Sequence, residues 1–315
     1  MTRYILNRIL AAIPTLLIVS VFVFLLQKLL PGDPILAMAG EERDPVVIDA
    51  LRIKYGFNLP LYQQYLNWLW QVLQGDLGIS LRTRQPVLQL IGEKLPVTIQ
   101  LAVMAMAFAY VIGVPLGILA AVKKNTLFDH AANFIALSGL SVPNFWLGIM
   151  MILLVSVWLG WLPASGYESL LNDPVRSLRT TLMPAFVLGS GLAAILMRHT
   201  RAAMLGVLQS DYVRTARAKG VTERSVILKH GWRNALLPVV TLTALLFGEL
   251  LAGAELTEQI FTIPGFGKLT VDAVFNRDYA VVQGVVLCTA AGFIIMNLFA
   301  DVLYVLLNPR MRASL

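Results

Sequence analysis

"SDYVRTARAKGVTERS", residues 210–225, gathers Arg214, Arg217, Lys219 and Arg224 among alanines and glycines in a chain that carries little charge elsewhere. The 315 residues are 57% hydrophobic and 14% charged, with a mean hydropathy of +0.73. That composition places the chain among membrane proteins and argues against a soluble enzyme built on a large core. The basic stretch must therefore lie outside the hydrocarbon. Ser210 or Asp211 can cap a helix, Gly220 can end it, and Thr222 can cap a second helix that stops at Gly231. In the first of these, Tyr212, Val213 and Ala216 share one side, while Arg214, Arg217 and Lys219 lie around the rest. A helix this small buries little by itself. It suits insertion into a groove of another protein, with Ala216, Ala218 and Gly220 permitting close backbone approach; a basic helix resting on anionic lipid is the alternative.

Working outward from it, a helix crosses the hydrocarbon with about 20 mostly apolar residues. Six segments qualify: 9–30, 96–122, 131–161, 180–198, 235–257 and 281–305. The third is longer than one crossing needs, and Pro143 is expected to kink or split it, because proline removes a helix hydrogen bond and clashes with the preceding turn. Ala37-Met38-Ala39 resembles a signal-peptide cleavage site, but the apolar run Ile9–Gln27 is too long for a signal core and reads as a retained first helix.

Orientation follows from Lys and Arg in the flanking segments. With the N-terminus inside, the inner segments hold 14 basic residues against Asp129, Asp211 and Glu223, whereas the outer segments 31–95, 162–179 and 258–280 hold 10 basic and 12 acidic. Both termini are expected in the cytoplasm, and the formal charge of +7 is chiefly a topology signal rather than a mark of nucleic-acid binding. The chain divides into residues 1–95, a first transmembrane helix with an outer helical segment, and 96–315, a five-helix core holding the basic loop at about 199–234. In the outer segment, Asp44, Pro45 and Gly56 punctuate a short helix. Leu61, Tyr65, Leu69 and Val72, with Trp68 and Trp70, describe a second one lying along the surface, either as a lid on the bundle or as a dock for an external partner.

Motifs for chemistry are missing. "GFGKLT" at 265–270 has Thr262 and Leu269 where a phosphate loop needs Gly and Ser/Thr, and neither His-Glu-x-x-His nor Gly-x-Ser-x-Gly occurs. His130, His199 and His230 are far apart in sequence, and Cys288 is the only cysteine, so no metal site or disulfide framework is expected. Intramembrane charges are costly, on the order of 3 kcal/mol on insertion scales, unless they face a partner or a wet cavity. Glu249 and Glu255 in the fifth span and Glu258 just beyond it form an acidic run toward the outer mouth. They either line a path for a cationic group or pair with a neighbouring subunit. Asp301 and Lys28 lie at span ends and read as structural. Gly113 and Gly117 make a Gly-x-x-x-Gly step that permits close helix contact.

The stretch "DYVRTARAKGVTERSVILKHGWRNALLPVV" resembles the cytoplasmic coupling loop of ABC-importer permeases, in the form found in the dipeptide, oligopeptide, glutathione and nickel import family. "LPGDP" at 30–34, "GDLGIS" at 75–80, "LLAGAELTEQIFTIPGFGKL" at 250–269, "NRDYAVVQG" at 276–284 and "NPRMR" at 308–312 extend the resemblance over nearly the whole chain. Departures are Arg214-Thr215-Ala216 where the general loop begins Glu-Ala-Ala, Ala280 in place of a proline, and Asn308 where many relatives carry Asp.

The resemblance implies an all-α integral membrane protein with six transmembrane helices of the type I ABC importer permease fold, a periplasmic helical insertion after the first and a coupling helix between the fourth and fifth. It implies a subunit of the bacterial inner membrane with both termini cytoplasmic. Its partners would be a second permease, two cytoplasmic ATPases that bind ATP and Mg, a periplasmic binding protein, and membrane lipid. Asp211, Tyr212, Val213, Arg214, Ala216, Arg217, Lys219 and Gly220 would then meet the ATPases, and this chain would hold no cofactor or metal and perform no catalysis. The expected substrate is a small peptide, with a nickel chelate or glutathione as alternatives. A secondary transporter, which would often show inverted repeats around a central ion site, is the reading from another class.

Overall fold

The computed structural model describes residues 2–29, 35, 44–54 and 56–307. The motifs at 30–34 and 308–312 and the Ala37-Met38-Ala39 site lie outside the described residues. Within them the fold is helical, and strand pairing amounts to a single bridge, Ile79 to Pro86. The elements are α1 (Thr2–Leu29), α2 (Pro45–Lys54), α3 (Leu61–Leu73), α4 (Val87–Val122), α5 (Leu127–Ser141), α6 (Asn144–Met151), a π-helical run Ile152–Trp158, α7 (Pro174–Leu208), α8 (Asp211–Ala218), α9 (Glu223–Ser225), a second π-helical run Val226–Trp232, α10 (Arg233–Gly253), α11 (Glu255–Ile260), α12 (Phe266–Phe275) and α13 (Tyr279–Leu307).

Five helices are long and apolar enough to cross a membrane, and α5 with α6 makes a sixth if that bent pair is one crossing. The pair bends by 95° at Val142-Pro143, where the expected proline break falls. Other boundaries differ from the hydropathy reading. α4 begins at Val87 and runs through Pro96, and α7 extends from Pro174 to Leu208 rather than 180–198. Charged ends carry these helices past the apolar layer, and hydropathy sees only the apolar part. α10 stops at Gly253, so Glu255 opens the separate helix α11 instead of closing the fifth span. Gly231 does not end a second loop helix: α9, the π run and α10 follow one another without a break.

The centre of the bundle is the pairing of α4 with α7, packed around Leu101, Ala105, Ala109, Val187 and Leu196. The Gly-x-x-x-Gly step works inside the chain. A Cβ on Gly113 would stand 2.5 Å from the Ala193 carbonyl oxygen, one on Gly117 2.6 Å from that of Met197, and one on Gly189 2.7 Å from that of Ala105. These distances are too short for any side chain, so three glycines set how closely the two backbones approach. α1 lies against α13, with Arg8 and Asp301 in an ion pair at 3.1 Å, in keeping with a structural Asp301. The Asp44 side chain accepts from the Val46 N–H (2.9 Å) at the start of α2, as its capping position suggested. α3 rests on α1 through Tyr65 and Trp68, which flank Phe24, and through the Ser20–Tyr65 hydroxyl pair at 2.8 Å.

Gly117→Leu is expected to destabilise the chain by about 3 kcal/mol or more through overpacking, whereas Gly206→Ala, where nothing stands within 4 Å of the new Cβ, is expected to be neutral or mildly stabilising. Thermal unfolding of the detergent-solubilised variants would show the contrast.

Candidate functional site

One end of the bundle, here the basic end, carries the turn after α4, the α7–α8 junction and residues 209–225. α8 ends in a Schellman closure: the Gly220 N–H donates to the Arg217 carbonyl (3.0 Å) and the Val221 N–H to that of Ala216 (3.2 Å), with Gly220 at φ +74°. Glycine is needed there because the left-handed region costs other residues about 1–2 kcal/mol. The inward side of α8 differs from the expectation that it meets a partner. Val213 and Ala216 are buried against the chain's own α7 end and π run. The Tyr212 hydroxyl accepts from Asn234 Nδ2 (3.0 Å) at the start of α10. Arg217 makes a two-pronged pair with Glu223, at 3.1 and 2.7 Å, which ties the end of α8 to α9. Only Val213 and Ala216 are buried on this stretch; Asp211, Arg214, Thr215, Ala218, Lys219 and Gly220 face outward, and Tyr212 and Arg217 are exposed beside their hydrogen-bond partners.

Behind this loop lies a lock that sequence reading missed. Asp129 is buried and takes both prongs of Arg201, each at 2.6 Å, joining α5 to α7, while Asn133 Nδ2 donates to its side chain at 2.9 Å. The signal was legible as a helix-start pattern, Thr126-x-x-Asp129, whose carboxylate turns back to the Asn125 N–H at 3.0 Å.

From the basic end a polar seam rises along α7. Leu188, Gly191, Ile195, Arg198 and Ala202 recur at helical spacing, and two cavities meet at Ile195. The cavity nearer the basic end, about 420 Å³, is lined by Asn133, Arg198 and His199; the other, about 250 Å³, by Asn144, Gly191 and Glu249. Gly191 and Arg198 are about 10 Å apart at 1.5 Å per residue. Glu249 is exposed on α10 and forms no ion pair among the described residues. Of the three acids singled out from sequence, it alone borders the seam.

Glu258 is wholly buried and serves the opposite end of the bundle. Its carboxylate accepts from the Thr98 hydroxyl (2.5 Å) and the Lys268 N–H (2.8 Å), thereby capping the start of α12, and the Phe266 N–H donates to Thr98 Oγ1 (2.8 Å). Burial pushes this carboxyl above the ordinary carboxylate range, against the hydrogen bonds from Thr98, Lys268 and Gly267. A side chain turned inward in this way does not line an outer mouth. Glu255 is half-exposed and borders neither seam cavity; its backbone abuts Gly267, where a Cβ would come within 2.8 Å of the Glu255 nitrogen. Beside this junction, Asp278 accepts from the Ser80 hydroxyl (2.5 Å) and caps the start of α13. "GDLGIS" and "NRDYAVVQG" thus meet in space, with Gly78 against Ala280.

An apolar helical bundle with a polar seam on one face and a basic helical loop at one end has the build of a membrane permease. The chain belongs to the family described as binding-protein-dependent transport system inner membrane component, which matches residues 113–313, and the N-terminal unit described for such membrane components matches residues 1–102. A putative peptide transport system permease protein of Brucella abortus is 44% identical over 99% of both chains. A glutathione transport system permease protein of Escherichia coli is 45% identical over the same share. The fold is that of the permease in inward-facing structures of the MetNI methionine ABC transporter, with a TM-score of 0.57 at 17% identity, covering 70% of this chain and 97% of that one. The chain is a multi-pass ABC importer permease of the inner membrane, a transport subunit and not an enzyme. The secondary-transporter alternative falls with that assignment.

A Cβ on Gly265 would lie 2.3 Å from the Glu258 carboxyl carbon, so Gly265→Ala is expected to cost about 1–3 kcal/mol by pushing the carboxylate off its donors. Added to Glu258→Ala it should cost almost nothing, a non-additivity that thermal unfolding of the two single variants and the double would reveal.

Proposed function

We propose that this chain is one of two permease subunits of an ATP-driven importer for short peptides, and that the seam along α7 is its half of the translocation path. The polar seam carries the reading: Glu249 and Asn144 stand within the mostly apolar span and Arg198 at its basic end, and ionisable groups at membrane depth such as Glu249 mark transport paths. A free peptide brings an ammonium group suited to Glu249 and a carboxylate suited to Arg198. The naming of relatives for peptide and glutathione transport supports this substrate class. Glutathione, itself a tripeptide, is the second reading, favoured by the 45% identical relative.

The excess of Lys and Arg at the basic end supports a cytoplasmic location for that end and for both termini. There two ATPase subunits, holding ATP and Mg, would receive the outward face of α8, with Arg214 and Lys219 making salt-sensitive contacts and Gly220 the close one. A binding protein would deliver the peptide at the opposite end, over segments 31–95 and 258–280. Val213, Ala216 and Tyr212 act here as the inner anchorage that passes movement of α8 to α10.

The test is a pull-down of the solubilised chain from cells that make the whole importer, with ATPase activity assayed in the eluate. Wild type should bring ATP hydrolysis down, and Gly220→Trp should lose it, whereas Gly220→Ala, which carries the same left-handed strain without the bulk, should keep it. Wild type arriving without ATPase would overturn the reading. Glu249→Gln should leave the complex intact but lower uptake of a labelled dipeptide about tenfold or more, the scale of one charged hydrogen bond. Undiminished uptake would remove Glu249 from the path.

A further inference from the structure

α4, α5 and α7 enclose a further groove, about 490 Å³ in volume and almost wholly apolar, which shares Gly139 with the upper cavity of the polar seam. We infer that it is a binding site for one acyl chain of an anionic phospholipid whose headgroup is held by Lys123. The groove runs along α5 from Phe128 to Gly139 and along α7 from Met197 to Phe186, which at 1.5 Å per residue is about 16 Å. Half of a hydrocarbon layer about 30 Å thick has that same depth. It stops just short of the point where the chain bends by 95° at Val142-Pro143.

Shape and charge narrow the candidate occupants. The groove is long and narrow, about 490 Å³ over about 16 Å, which suits an extended hydrocarbon chain. The groove is also open by composition. Gly113, Gly117 and Gly189 are demanded by close packing, but nothing stands within 4 Å of a Cβ placed on Gly139. That glycine is not required by the fold, and its bare backbone leaves space at the inner end of the groove.

Charge at the other end selects the headgroup. Lys123 Nζ lies 5.5 Å from the centre of the Phe128 ring, which lines the groove, and Lys124 follows it. The acid nearest in sequence, Asp129, is taken up by Arg201, so the two lysines keep their charge for an outside anion. Residues 116–140 contain no other acidic residue. A cation at the end of a hydrophobic slot one leaflet deep matches the phosphate and acyl chain of a lipid anion.

The full chain, purified in mild detergent and delipidated, would be titrated with dioleoyl phosphatidylglycerol or dioleoyl phosphatidylcholine and read by native mass spectrometry. We expect one phosphatidylglycerol per chain, bound about tenfold more tightly than phosphatidylcholine. Lys123→Gln should abolish that preference without abolishing binding, and Gly139→Leu should weaken both lipids about tenfold at an unchanged melting temperature. Equal binding of the two lipids by wild type, or unaltered binding by both variants, would overturn the inference. Should Gly139→Leu fold poorly, Lys123→Gln decides alone. A photoreactive side chain at Ala132 in the assembled importer adds an independent arm: adducts with phospholipid support the site, and adducts with the second permease make the groove a subunit interface instead.

Discussion

The backbone contact between α4 and α7 is the constraint on which the other parts depend. Lipid offers apolar side chains no reason to leave it, so helices in a membrane are held by close packing and by polar contacts. Gly113, Gly117 and Gly189 bring two long helices within touching distance, and that contact leaves α7 with two usable flanks. One flank, with Gly191, Ile195 and Arg198, borders the polar seam; the other, with Phe186 and Met197, borders the apolar groove. The Asp129–Arg201 pair then fixes α5 between them. A single helix thereby borders both the polar seam and the apolar groove.

At the two ends of the bundle the same device recurs, a carboxylate holding the start of a helix. Asp44, Asp129, Glu258 and Asp278 each accept backbone N–H groups there. Two of the three buried ones, Glu258 and Asp278, also receive a hydroxyl from a distant segment, Thr98 and Ser80 respectively. Each of these links two stretches far apart in sequence at no cost of an unpaired polar group.

Much of this could be read from the sequence, and the boundary of what could is physical. Membrane class, the number of crossings and the break at Pro143 follow from composition and from proline geometry, which are local properties. The limits of α7 do not: its 35 residues span about 52 Å, and the charged turns that overrun the bilayer carry no hydropathy signal. The acidic run misled for a related reason. Glu249, Glu255 and Glu258 look alike in sequence, yet the fold sends one to the seam, one to the start of α11 and one under Gly265. That last position depends on a turn formed by residues 261–265 and on Thr98, 160 positions away. In the basic loop, the shared side of Tyr212, Val213 and Ala216 was legible, but periodicity cannot say whether such a side faces the chain itself or a partner.

The π-helical run Val226–Trp232 joins the anchored loop to α10 with no intervening turn. A π turn holds more residues than an α turn, so it stores a length of chain inside an otherwise continuous rod. Taking up one residue of that slack would rotate everything beyond it by about 100° and shift it by about 1.5 Å. Glu249 lies on that rod, 17 residues beyond the end of the run. With such a joint, a small advance at the loop would become a large change in the direction a distant carboxylate faces.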